Sequence, residues 1–275
     1  MAASAGRHFG CPGLRNVCRA SPAQRLGRAA FDTGEYPLPA RISQRGTARM
    51  RTLTPVLCTS GLAAEARIAR AAGFQVIVGA GDPRRTAKLV EAAARHAKCL
   101  VSFGIAGGLA PHLRPGDVIV SGEVIGDDRR WGPDPRFQRE IVDLARQIDA
   151  SEGPVLGARD ILATEEDKAR AWLETGALAV DLESAIVART AEAAGMPFLV
   201  LRTIADPATR ELPSAALIPL SENGKPAFLR VFREVLRRPE QIAALFGLAR
   251  ETRQALTALP GPARALRGAI ALAQP

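Results

Sequence analysis

Glu183, Arg202 and Asp206 carry the clearest chemical signal in this sequence. Glu183 sits in the run Val180-Asp181-Leu182-Glu183-Ser184. Arg202 follows 19 residues later, and Asp206 lies four beyond it in Leu201-Arg202-Thr203-Ile204-Ala205-Asp206. Between them, residues 186–195 read as a short helix and 197–204 as a buried strand. Glu183 then falls at a helix start, and Arg202 and Asp206 at a strand's carboxyl end, where open α/β sheets gather ligands. An anion clamp, a hydroxyl-binding carboxylate and a proton-donating carboxylate suit the cleavage of a nucleoside.

The elements that must position these groups read as α/β. Residues 55–59, 74–78 and 99–103 form short apolar runs, and 117–120 with 124–125 continue as strand. The Ala-rich stretch 62–72 and the amphipathic stretch 83–96, with Leu89, Val90 and Ala93 on one side, predict helices. Gly104-Ile105-Ala106-Gly107-Gly108 reads as a Gly-rich end to the third strand, where a ligand can approach backbone amides. Buried strands alternating with helices imply a mainly parallel sheet covered on both faces, a three-layer αβα sandwich. Residues 50–260 read as one domain and 261–275 as a flexible C-terminal tail. Within the domain, 228–238 and 239–259 are helical patterns broken at Pro239. Phe228, Val231, Phe232 and Val235 are spaced apolar, with Arg230, Arg233, Arg237 and Arg238 between them.

Composition narrows the classes. The chain has 275 residues, enough for one large domain, with 47% hydrophobic and only 4% aromatic residues, so Ala, Leu, Val and Ile build the core. The four cysteines contain no CxxC pair and the three histidines are scattered, which argues against a metal site or disulfide framework and fits a reducing cytoplasm. The net charge is +9, but residues 1–49 alone carry eight arginines, no lysine and two acids, or +6. The excess is thus mostly local, and with no basic-aromatic platform the domain does not read as a nucleic-acid binder. Residues 1–49 lack an apolar signal core. They read as a disordered Arg-rich tail or as the product of a misassigned start before Met50. Gly79-Ala80-Gly81 is too short for a dinucleotide fingerprint.

Four strings occur in one order: Gly107-Gly108-Leu109-Ala110-Pro111, Pro115-Gly116-Asp117-Val118-Ile119-Val120, Val180-Asp181-Leu182-Glu183-Ser184 and Arg202-Thr203-Ile204-Ala205-Asp206. Together they resemble the purine nucleoside phosphorylase and nucleosidase superfamily, most of all its methylthioadenosine/S-adenosylhomocysteine nucleosidase branch. The run from Thr59 to Ile68, with Ser102 to Leu109 and Asp127-Asp128-Arg129-Arg130-Trp131, is similar to the hopanoid-associated phosphorylase, which processes adenosylhopane. The resemblance covers roughly residues 54–260.

The resemblance implies roles. Asp206 matches the acid that protonates the leaving adenine, although Ala205 stands where the family usually has a serine that helps hold it. Glu183 matches the carboxylate that binds the ribose hydroxyls, with Leu182 in place of the common Met as an apolar sugar contact. Glu65 matches the carboxylate that positions water, and Arg202 the arginine near the nucleophile. Ile161 and Leu162, in Asp160-Ile161-Leu162-Ala163-Thr164, fall where relatives stack an apolar side chain on the purine. Ser60, Gly61, Gly104, Ile105 and Ala106 complete the binding set. Ser60, Gly61, Arg67 and Arg202 also offer an anion site. A carboxylate at Glu65 favours water as nucleophile, while phosphate stays open as a co-substrate.

The expected function is cleavage of the N-ribosidic bond of an adenine nucleoside, with adenosylhopane as the first substrate candidate. Alternatives are a methylthioadenosine/S-adenosylhomocysteine nucleosidase and a non-catalytic nucleoside-binding homologue. No metal or organic cofactor is implied. A cytoplasmic homo-oligomer is expected, with Leu217, Ile218, Phe228 and Phe232 lining an apolar trench. Peripheral contact with the inner membrane is a further option through the basic helices.

Overall fold

A computed structural model describes residues 55–126, 129–218, 221, 223–225, 233–234 and 237–273. The expectations for 1–49, for Asp127 and Asp128, and for Phe228, Arg230, Val231, Phe232 and Val235 fall outside the described residues.

The strands are β1 (Val56–Ser60), β2 (Gln75–Val78), β3 (Cys99–Gly108), β4 (Val118–Ser121), β5 (Val124–Ile125), β6 (Arg130–Trp131), β7 (Ser151–Glu152), β8 (Val155–Gly157), β9 (Ala179–Asp181) and β10 (Phe198–Asp206). The helices are α1 (Ala63–Ala71), α2 (Pro83–Ala94), α3 (Gln138–Gln147), α4 (Glu165–Thr175), α5 (Ser184–Ala193), α6 (Ile242–Ala258) and α7 (Pro260–Leu272). One mixed sheet runs β6-β5-β8-β9-β3-β10-β4-β7, and β1 joins β3 with β2 outside it. Most pairings are parallel; β10–β4, β3–β9 and β5–β6 are antiparallel.

Alternation along the central strands sends side chains to two cores. Val101, Phe103, Leu199 and Leu201 pack with Ile141 of α3 and with Ala263, Leu266 and Ile270 of α7. Leu100, Val200 and Ile204 pack with Val90 of α2 and with Val187 and Ala191 of α5. A period of two along a strand places neighbours on opposite faces, so both faces need a helical cover. The expected three-layer mixed, mainly parallel α/β architecture is the one observed.

Two expectations are corrected. Residues 261–275 do not form a flexible tail as far as residue 273. Instead, α7 begins at Pro260, which suits a first helical position, and its Ala263, Leu266 and Ile270 are buried. The apolar residues at helical spacing make this a core helix. Second, the strand expected over 99–103 with a Gly-rich end runs on through Gly108. There β3 keeps pairing with β10 and then takes up β9 on its other edge, Gly107 opposite Val180. The switch of partners from β1 to β9 opens the sheet above Ser60, and the site lies at that opening.

Candidate active site

A cavity of about 310 Å³ opens where β1, β3, β9 and β10 end. Its lining includes Gly61, Glu65, Ile105, Ala106, Ile161, Leu162, Leu182, Glu183 and Asp206 from the expected set, and Leu212, Ala216, Leu217 and Ile218 at an apolar side. Ser60, Gly104 and Arg202 do not line it; they lie behind the residues that do.

Glu65 is fixed by local geometry. It is the third residue of α1, so its carboxylate reaches back to the unpaired amide at the helix start: Oε2 accepts from Leu62 N at 2.7 Å. Oε1 accepts from Ile105 N at 2.8 Å, tying α1 to the glycine-rich part of β3. Gly104 permits this approach. It has φ +151°, and a Cβ there would lie 2.4 Å from Glu65 Oε1. Glu65 is buried rather than an exposed helix charge, and burial holds its carboxyl above the usual range although Arg202 and the backbone amides pull it down.

Glu183 is the residue before α5, again at a helix start. Gly61 lies against it, with its Cβ position 2.8 Å from Glu183 Oε1, so a side chain at 61 would push the carboxylate aside. Burial is the main force raising Glu183, to about 7, with Asp181 and Glu65 adding repulsion and Arg202 opposing.

Arg202 is almost wholly buried on β10 and is held entirely by the protein. Its Nη2 donates to Ser102 Oγ at 2.6 Å and to Glu183 Oε2 at 3.2 Å, and Nη1 donates to Ile105 O at 3.2 Å. Nε lies 2.8 Å from Asp181 Oδ2, an ion-pair contact without hydrogen-bond alignment. Asp181 also caps α5, accepting from Glu183 N and Ser184 N at 3.0 and 2.7 Å. The expectation that Arg202 faces the nucleophile is therefore corrected. It lies behind the cavity wall, bonded to Glu183, Ser102 and Ile105 and ion-paired with Asp181, so it sets the carboxylates rather than a ligand. The anion site expected from Ser60, Gly61, Arg67 and Arg202 does not assemble. Arg67 is exposed on α1 beside Pro260 and Arg264, and Ser60 is buried.

Asp206 ends β10, where its register with β3 shifts between Ile204 and Asp206. Such an irregularity re-aims a side chain, and Asp206 lines the cavity. Burial raises its carboxyl above the usual range, opposed first by Lys168. Lys168, on α4, has no exposed surface and places Nζ 2.6 Å from Asp206 Oδ2.

Ile161 and Leu162 border the cavity as expected, Ile161 being 46% exposed. Ala163 O is taken by Leu212 N at 2.8 Å, so this backbone also anchors the apolar side. Leu217 and Ile218 take the trench positions expected of them. Lys168, Asp181, Ser102 and Ser184 were not singled out from the sequence. A signal for Lys168 existed, since it shares a helix face with the buried Ala171 three residues on.

The cavity carries Glu65, Asp160, Asp181, Glu183 and Asp206 and, among the described residues, no Lys, Arg or His. Such a lining offers phosphate no cationic partner. The profile of the phosphorylase superfamily matches residues 20–237. The chain belongs to the phosphorylase superfamily. Two relatives within this superfamily are 5′-methylthioadenosine/S-adenosylhomocysteine nucleosidases. The one from Desulfotalea psychrophila is 30% identical over 138 residues, 43% of this chain and 58% of the relative. The one from Pseudoalteromonas translucida is 28% identical over 139 residues, 42% of this chain and 59% of the relative. The matched stretch thus spans under two thirds of these relatives' length. Among solved structures, the Neisseria meningitidis nucleosidase of that name, in complex with methylthio-immucillin-A, matches with a TM-score of 0.58 at 16% identity, over 79% of this chain and 98% of that one. Futalosine hydrolase of Helicobacter pylori matches with a TM-score of 0.50 at 17% identity, over 66% and 98%. At these identities the structural likeness is one of fold.

Proposed function

We propose that this chain hydrolyses the N-ribosidic bond of a 5′-substituted adenine nucleoside, as the names of its relatives, methylthioadenosine/S-adenosylhomocysteine nucleosidases, suggest. The observation that supports this reading best is the cavity's acidic lining. Three buried carboxylates from separate elements, Glu65, Glu183 and Asp206, converge on it with no basic side chain among the described lining residues.

Each group then has a distinct task. Asp206, whose carboxyl burial raises above its usual range, gives its proton to a ring nitrogen of the adenine, and the electrons of the breaking ribose–purine bond pass to the base. The sugar becomes cationic as the bond lengthens. Glu183 accepts hydrogen bonds from the ribose hydroxyls, and its charge favours that cation. Because burial holds Glu183 near neutrality in its titration, a developing positive charge would complete its ionisation. Glu65, anchored by Leu62 N and Ile105 N, keeps a lone pair on each oxygen for a water that attacks the anomeric carbon. The water's proton passes to Glu65, and solvent restores both carboxyl groups. One water is consumed; adenine and the free sugar leave.

The test is adenine release from methylthioadenosine with and without phosphate, the sugar identified by mass. Release without phosphate, giving a free ribose product, is expected. Strict phosphate dependence with a ribose-1-phosphate product would overturn hydrolysis.

A second reading, adenosylhopane as substrate, draws on the apolar side of the cavity. Ile161 and Leu217 are both more than a third exposed at its edge, beside Leu212 and Ile218. An apolar border of this kind suits a long hydrocarbon on the 5′ carbon. Turnover of adenosylhopane in detergent, compared with methylthioadenosine, separates the two readings. Homo-oligomeric assembly and peripheral contact with the inner membrane belong to this proposal and are tested by sedimentation and by binding to anionic vesicles.

A further inference from the structure

Lys168 is the one fully buried lysine among the described residues, and its ammonium is completely used. Nζ donates to Asp206 Oδ2 at 2.6 Å, to Pro207 O at 3.1 Å and to Arg210 O at 2.8 Å. Its three donors therefore meet three acceptors in the five-residue segment that turns away from β10. Burying an ammonium is costly, and a wholly apolar set of side chains of similar volume often stabilises a core as well as a buried ion pair does. The fold as such does not require a charge here. What the charge does is local: it grips one oxygen of Asp206 and the backbone directly after it, while Asp206 keeps its place in the cavity wall. Ala205, next to Asp206, has no hydroxyl with which to share that task.

We propose that Lys168 is the positioning residue of the acid Asp206: its ammonium fixes Oδ2, leaves Oδ1 to face the purine, and stabilises the carboxylate left when the proton departs. This rests on the nucleosidase reading above. The reacting form of the pair is a carboxylic acid beside an ammonium. The proton on Asp206 moves to the purine nitrogen, the ribose–purine bond electrons move to the base, and an ion pair remains. After adenine leaves, Asp206 takes a proton from solvent. Lys168 gains and loses nothing; it makes Asp206 a stronger acid at the moment of transfer.

The other charged groups near Asp206 act less directly. Arg210, on the same turn, is paired with Glu251 of α6; Glu251 raises Asp206 slightly and Arg210 lowers it. Glu65, Asp160, Asp181 and Glu183 share the same cavity. Lys168 is the cation in contact.

Lys168→Met keeps length and removes the charge. Where a protonated acid is required, activity falls as pH rises through the pKa of that acid. Loss of the ammonium weakens the acid, so the alkaline limb of kcat should move up by about one pH unit or more. The plateau should fall about tenfold or more, because a weaker acid transfers its proton less readily, with KM little changed. A merely structural defect lowers kcat without moving the limb, and that result would overturn the proposal. In an Asp206→Asn background, Lys168→Met should cost nothing further in kcat; an added loss would also overturn it. Should Lys168→Met fail to fold, Lys168→Gln, which can still donate to one carbonyl, gives the same two readouts. Wild-type adenine release is measured first. Its absence defeats the nucleosidase reading itself, whereas an active wild type with an unmoved limb in the variant defeats only the role of Lys168.

Discussion

At the floor of the cavity one guanidinium serves three carboxylates; at its acid end one ammonium serves one. Arg202 contacts Asp181 and Glu183 and feels Glu65, whereas Lys168 contacts Asp206 and two carbonyls. Both cations are buried, and burial raises Glu65 and Glu183 at the floor and Asp206 at the acid end, yet the balances differ. At the floor three carboxyl groups share one cation among the described residues, so the floor offers an anion no free cationic partner and suits a cationic ligand as its carboxyls ionise. The acid end is matched one to one, so its carboxyl can shed a proton without leaving an unpaired charge. A site with an anionic floor and a balanced acid suits departure of a protonated base from a cationic sugar better than capture of phosphate.

The sharpest way to break this comparison is Asp206→Asn. It keeps the shape and one acceptor for Lys168 but removes the transferable proton. Adenine release should fall by about 100- to 10,000-fold, with nucleoside binding retained in a calorimetric titration. Unchanged turnover would remove Asp206 as the acid and leave the acid end a structural ion pair.

The floor should answer in stability as much as in rate. Arg202→Met leaves Asp181 and Glu183 buried without their cation, and removing one partner of such a group costs about 3–5 kcal/mol. Denaturant titration should show that loss. A loss under about 1 kcal/mol would mean that water already screens the floor.

The floor's own members were unequally legible from sequence. Glu183, Arg202 and Asp206 stood out by their spacing and by the charged residues set at the end of an apolar strand, and all three are buried. Glu65 was legible only through the family resemblance. What escaped was partnership. Lys168 looks like an ordinary helix charge after the acidic turn Glu165-Glu166-Asp167, and only the packing of α4 under the end of β10 brings it to Asp206, 38 residues away. Arg202 was placed rightly on its strand but assigned to the ligand, because a sequence shows a guanidinium without the Asp181, Ser102 and Ile105 groups that occupy it. Local rules likewise closed the third strand's apolar run at Phe103, whereas non-local pairing with β9 and β10 carries the strand through its Gly-rich end. The helix Pro260–Leu272 was missed for a similar reason: its apolar face is short and rich in Ala, and its core partners lie on β3 and β10.

If the floor really carries excess negative charge, its cost must grow with pH. Glu183 has a folded-state pKa raised from 4.5 to about 7. The stability linked to this group is fully present below about pH 4.5 and is lost as pH rises through about 7. Glu183→Gln does not titrate, so the stability of the variant relative to wild type should improve across that window by about 3 kcal/mol at most. Activity should fall at the same time, since the amide cannot balance a sugar cation. A difference in stability that stays flat with pH would show that Arg202 already neutralises Glu183, and the contrast with the acid end would disappear.

The smallest expected effect isolates Glu65 without touching its charge. Gly104→Ala inserts a Cβ at φ +151°, 2.4 Å from Glu65 Oε1. Backbone strain and the displaced carboxylate together should cost about 1–3 kcal/mol of stability. The shift should also loosen the grip of Ile105 N on Glu65. If Glu65 orients the attacking water, kcat should drop about tenfold or more, because a displacement near 1 Å misaligns the nucleophile. The acid end should be unaffected, so the alkaline limb set by Asp206 should stay where it is in wild type. Loss of rate with an unmoved limb is the counterpart of the result expected for Lys168→Met, where the limb moves. If Gly104→Ala moves the limb as well, floor and acid end titrate as one unit, and the cavity has a single charge network rather than two.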